Sequence, residues 1–120
     1  MRAVFDWSAY LNLAEELAGR LEEEAAWRSA ISRAYYAVFH SARDYLDRKG
    51  PAVARSGSTH MEVRNRMLWT ERRLGEGLRQ LHGLRKHADY DDRYPSDLSA
   101  DAEFAVKLAQ TLVKAVAQLK

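Results

Sequence analysis

From Ala25 to Lys49 the chain runs without a glycine or a proline, and it then meets Gly50-Pro51. An uninterrupted run of that length reads as a helix, and the Gly-Pro pair supplies its stop, because proline cannot continue the hydrogen-bond ladder. Ala30, Ala34, Val38 and Ala42 recur every four residues as a ridge of small side chains. Trp27, Ile31, Tyr35, Phe39, Tyr45 and Leu46 flank it. Apolar side chains therefore cover more than half the circumference, which places this helix at the centre of a bundle. Two prolines and six glycines in 120 residues are too few for the turns of an all-β fold. The expected class is all-α.

The other helices are built around this one. Tyr10, Ala14, Leu17 and Leu21 form one apolar stripe of a first helix, starting near Asp6 or Ser8. Glu22 to Glu24 oppose the dipole at its end, so it stops about there. Residues 51–58 read as a loop, with Ser58 or Thr59 capping the next segment, which Met61, Val63 and Leu68 begin. Leu74, Leu78, Leu81 and Leu84 continue the helical period, while Gly75, Gly77 and Gly83 each cost about 1 kcal/mol in a helix interior. The spacing predicts two segments, 60–72 and 74–89. After a connection over 90–99, Asp97 or Ser99 caps a last helix whose stripe is Ala105, Leu108, Leu112, Val116 and Leu119. Asp101 and Glu103 suit its first turn. The sum is a single domain over residues 1–120, an antiparallel up-and-down bundle of four long helices plus one short helix.

Composition narrows the function. Without cysteine there is no disulfide, thiol nucleophile or thiolate metal site. No stretch approaches 18 apolar residues, and the opening MRAVFDW lacks the apolar core of a signal peptide. A cytoplasmic protein with no membrane partner is expected. The net charge of +2 hides an asymmetry. Residues 1–24 set six carboxylates against Arg2 and Arg20, a balance of −4. Residues 64–87 set seven cations against Glu71 and Glu76, a balance of +5, with His82 and His87 besides. Arginine outnumbers lysine 14 to 5, and its planar fork suits phosphate and carboxylate. The pattern permits an anionic partner without requiring one.

Two clusters carry chemistry. Arg33, Tyr36, Ala37 and His40 share one face of the central helix. Arg33 there either finds a carboxylate or a ligand, or points to water. The segment LRKHADYDD, residues 84–92, gathers acids at a helix end, where the dipole disfavours them. Asp89 paired with Arg33 or Arg28 offsets that cost. A metal site or a solvated helix end are the other readings. No Ser/His/Asp arrangement, phosphate-cradling glycine loop or zinc-ligand pair is present.

The run SAISRAYYAVFHSARDYL at 29–46, followed by LRKHADYDD, resembles the small prokaryotic HEPN-domain proteins, and FDWSAYLNLAEELA looks like their opening helix. The likeness spans nearly the whole chain and is most specific at Arg33, Tyr35, Tyr36, Phe39, His40, Arg85, Ala88, Asp89 and Tyr90. It implies a helical bundle that dimerises around a polar cleft. Many such proteins are metal-independent ribonucleases, often toxins paired with a minimal nucleotidyltransferase antitoxin, and others bind nucleotide or RNA without cleaving it. The active members place four to six residues between an Arg and a His late in the fold. Here Arg79 and His87 are separated by seven residues, Arg79 and His82 by two, and Arg85 and His87 by one. Arg33 and His40 are separated by six, but inside the central helix.

The resemblance therefore implies a homodimeric module binding nucleotide or RNA through Arg28, Arg33, Tyr36, His40, Arg85, Asp89 and Tyr90. It works beside a nucleotidyltransferase in a toxin–antitoxin type of system, with no cofactor and no metal. The alternative is a metal-independent endoribonuclease drawing its acid–base and phosphate-stabilising groups from Arg79, Arg85 and His87, or from Arg33 and His40. A purely structural interaction module is the third reading.

Overall fold

The computed structural model describes residues 4–119. Five helices follow one another: α1 (Ala9–Ala18), α2 (Glu24–Lys49), α3 (Thr59–Thr70), α4 (Arg72–Tyr90) and α5 (Leu98–Ala117). The described residues contain no strand, so the class is all-α. None of these helices is long and apolar enough to cross a membrane. Three helices span 19 to 26 residues and two, α1 and α3, span 10 and 12, where four long and one short were expected.

The first helix is the shortened one. It ends at Ala18, so Leu21, read as the last residue of its stripe, stands in the turn and is 87% exposed. Glu24 opens α2 instead of trailing α1, and a carboxylate is favoured at that N-terminal end. At the other boundaries Asp97 caps α5, its Oδ1 accepting from the Ala100 amide at 3.1 Å. Ser58 takes the cap position of α3 without a side-chain bond. Thr59 closes the preceding loop instead, accepting from the Ser56 amide and donating to the Ala54 carbonyl.

Helix α2 touches each of the other four, and its small residues Ala30, Ala34, Ala37 and Ala42 are buried. Across it α4 meets Arg28 near Asp91, Ser32 at Asp89 and Tyr36 at Arg85. Helix α3 takes an unexpected course. His60 lies against Tyr35 while Arg66 lies against Gly50, so α3 follows α2 in the same direction after the loop has doubled back. The chain then reverses at Glu71, and α4 passes close over α3. A Cβ on Gly75 would sit 2.4 Å from the Leu68 amide nitrogen, so this crossing admits only glycine.

The acids at the end of α4 are offset differently from expectation. Arg28 does not pair with Asp89. Its guanidinium donates to the carbonyls of Ala88 at 3.1 Å and Asp91 at 2.6 Å, closing orphan acceptors of the last turn.

Candidate functional site

Three α2 positions on successive turns, Arg33, Tyr36 and His40, line an open pocket of about 230 Å³ together with Trp7 and Tyr10 from the start of the chain. The His40 ring stacks on the Trp7 indole with centroids 3.5 Å apart, and Arg33 lies over the Tyr10 ring at 4.6 Å. Arg33 is therefore answered by aromatic faces and by the Ser32 hydroxyl at 3.5 Å, and of the readings open to it a carboxylate partner is not the one found among the described residues.

Behind Tyr36 stands Arg85, 7% exposed, donating to the Tyr36 hydroxyl at 3.1 Å. Its counter-charge is Asp89, one turn on along α4, whose Oδ2 lies 3.7 Å from Nε and also accepts from Ser32 at 3.2 Å. That separation is an ion pair without a hydrogen bond, and Arg85 Nε has no acceptor among the described residues. The rings of Tyr35, Tyr36 and Tyr90 all lie within 6 Å of the guanidinium carbon. The sequence gives no hint of how much of this cation's environment is aromatic.

On the other side, Tyr35 shares a 2.6 Å hydrogen bond with His60 Nδ1 from α3. His60 stacks on His82 of α4 at 5.8 Å. Both imidazoles line a second pocket, of about 350 Å³, with Ser58, Met61 and Arg64. Burial, and then the Arg85 charge, push His82 down to about 4 and lower His60 in the same way. His40 is also pushed down to about 4, by burial and then by Arg43. Burial raises the Tyr35 phenol. At neutral pH the site thus holds cationic arginines, one facing carboxylate and three uncharged imidazoles, an environment short of negative charge.

Arg33, Tyr36, His40, Arg85 and Asp89 come together. Tyr90 is at the rim, largely exposed. Arg28 caps α4 from the far side of Asp89. Arg79 pairs with Glu76 on the exposed face of α4, and His87 pairs with Asp91 at 2.5 Å at the helix end. His60 and Ser32 join the site although no sequence motif marks them. His60 arrives on α3, whose course along α2 has no signature in the spacing. Among the described residues no group of three His, Asp or Glu side chains is arranged to hold a metal ion.

A protein-family model described as HEPN domain matches residues 9–119. No curated protein and no solved structure matches the chain.

Proposed function

The chain belongs to the HEPN-domain family, and on that premise we propose that it binds the phosphates of a nucleotide or RNA in the cleft around Arg85. In this reading the protein is a cytoplasmic homodimer with that cleft at the interface, working beside a nucleotidyltransferase in a toxin–antitoxin type of pair. Helices α1, α2, α4 and α5 form the antiparallel up-and-down frame of the bundle, and α3 is added to it.

The observation that carries the reading is the state of Arg85. A guanidinium this buried is costly unless it is well compensated, and here it faces one carboxylate at 3.7 Å with its Nε unused. A phosphate group supplies the missing negative charge and acceptors. Arg33 in one pocket and Arg64 in the other are the accessible cations beside it. A phosphate here also stabilises protonated imidazole, so binding takes up protons and tightens as pH falls toward the histidine range.

The test is binding of a short labelled single-stranded RNA, and of ATP, to purified protein by fluorescence anisotropy. Affinity falls with added salt. Arg33→Gln and Arg85→Lys each weaken it about tenfold or more, the range of one lost charge-assisted bond. Arg79→Gln leaves it unchanged, and circular dichroism checks that each variant folds. Absence of binding by the wild type at low salt overturns the reading.

A second reading, metal-independent endoribonuclease, draws on the neutral imidazoles His60 and His82 near Arg85. An uncharged imidazole accepts the proton of an attacking ribose 2′-hydroxyl, and the guanidinium stabilises the pentacovalent phosphorus. As the phosphorus–5′-oxygen bond breaks, the imidazolium returns that proton to the departing 5′-oxygen, leaving a 2′,3′-cyclic phosphate. Cleavage of an RNA pool in EDTA, lost in His82→Ala and Arg85→Lys, favours this reading. Binding without cleavage favours the first.

A further inference from the structure

Two large apolar side chains stand almost wholly in water near opposite ends of α2. Trp69, 90% exposed, lines an open pocket of about 390 Å³ with Tyr45, Leu46, Lys49 and Arg66. Leu21, 87% exposed, sits in the turn between α1 and α2, and Glu22, Glu23 and Glu24 follow it. Neither position is explained by the cleft around Arg85 or by the packing of the five helices.

The two features are complementary. The pocket pairs a buried apolar floor, Tyr45 and Leu46, with cations at the rim. Arg66 gives Nη1 to Glu62 at 3.1 Å and lays Nη2 over Gly50, while Lys49 has no ion-pair partner among the described residues. The turn offers one leucine beside three carboxylates. Glu24 engages Arg28 and Glu23 reaches Arg20 at 3.5 Å, but Glu22 has no ion-pair partner among the described residues. The turn is also fixed in shape. Glu22 adopts φ 53, in the left-handed region that side chains other than glycine rarely enter. The Trp27 indole locks the turn from beneath by donating to the Arg20 carbonyl at 2.8 Å. A preformed apolar tip with fixed charges loses little freedom on docking.

We propose that the Leu21 turn of one copy of this chain fills the Trp69 pocket of a second copy, and that the contact is reciprocal. The 26 residues of α2 separate the two features by about 39 Å. When each copy gives its turn and receives its partner's, the two α2 helices run in opposite directions about a two-fold axis and the two contacts are identical. This inference rests on the dimer reading above and names the contact that holds the dimer. It places an aromatic anchor and a leucine at each contact, with carboxylates meeting Lys49 and Arg66 at the rim.

Charge reversal tests it. One variant carries Glu22→Lys and Glu23→Lys, and the other carries Lys49→Glu and Arg66→Glu. Sedimentation equilibrium of the wild type shows a dimer and nothing larger. Each variant alone dissociates roughly tenfold or more easily, because like charges then meet at both contacts. An equimolar mixture of the two variants restores the dimer, since each turn now faces a pocket of opposite sign. Circular dichroism shows that both variants keep their helix content, and Trp69→Ala gives the same weakening without any charge change. A wild-type dimer indifferent to all these changes overturns the contact and leaves the dimer reading standing. A monomeric wild type overturns both, and growth into longer chains overturns the reciprocal arrangement.

Discussion

At the scale of single residues, Arg85 and the histidines around it set the behaviour of the site. Among the described residues the Tyr36 hydroxyl is the one neutral acceptor bonded to Arg85. Tyr36→Phe is expected to lower stability by about 2 kcal/mol in urea titration, the usual worth of a hydrogen bond to a charged group. A loss within experimental error would show that the hydroxyl does not hold the guanidinium. The pH dependence follows from the imidazoles. In the fold His40 and His82 sit at about 4, below their ordinary 6.5, so the unfolded chain binds protons first as pH falls. Stability from this source is whole above about pH 6.5 and is lost between there and pH 4. Thermal unfolding across that window is expected to show the decline, and His82→Asn to flatten part of it. An unaltered slope in the variant would exclude His82 as a source. The sequence exposed some of this site and hid the rest. Arg33, Tyr36 and His40 are legible because one helix and one period place them together. Arg85 and Asp89 stand one turn apart in the sequence, but the spacing leaves Asp89 open to Arg33, Arg28, a metal ion or solvent, and only the structure pairs it with Arg85. His60 is illegible, because its place depends on how two helices cross.

At the scale of elements, the glycines of α4 separate what composition treats alike. Sequence reasoning gives Gly75, Gly77 and Gly83 the same helix penalty, whereas their surroundings differ. A Cβ at Gly75 meets the backbone of Leu68 at 2.4 Å, one at Gly77 meets the Leu112 side chain at 2.6 Å, and one at Gly83 meets nothing within 4 Å. Gly75→Ala is therefore expected to destabilise by about 3 kcal/mol, because backbone cannot yield. Gly77→Ala is expected to cost about 1 kcal/mol as the leucine tip turns aside. Gly83→Ala is expected to stabilise by about 0.5–1 kcal/mol. Chemical denaturation of the three variants checks the order, and equal effects would refute the α3–α4 contact. Helix existence was readable here from the period of the leucines, and the ends were less so. The stripe through Leu21 continues the spacing of α1, but the chain turns at Gly19 and the residue falls outside the helix. Arg28 shows the same limit, since its role as a cap for α4 depends on carbonyls that carry no sequence mark.

At the scale of the whole molecule, α2 is the hub and α3 the outlier. Among the described residues α2 packs on all four other helices, whereas α1 packs on α2 and α5 and α3 on α2 and α4, and α3 is set apart by running parallel to α2. Native-state hydrogen exchange is expected to rank the amides of α2 slowest and those of α3 and the 51–58 loop among the fastest. Protection of α3 equal to that of α2 would mean that the bundle opens only as one unit. The class and the central helix were written in the Gly- and Pro-free run. The course of α3 was not, because a loop of eight residues permits either direction of return. That course has a further consequence. Gly50 and Thr70 line the same pocket, so the chain leaves the α2–α4 pair and comes back beside its point of departure. Residues 51–70 are a closed detour whose two ends meet the frame side by side, while its middle packs back on α2 and α4. His60, Arg64 and Trp69 all ride on it, while Arg28, Ser32, Tyr36, Arg85 and Asp89 belong to the frame. Such a segment can diverge, lengthen or be traded for another during descent without redrawing the path of the rest, so novelty in this architecture has a natural port of entry.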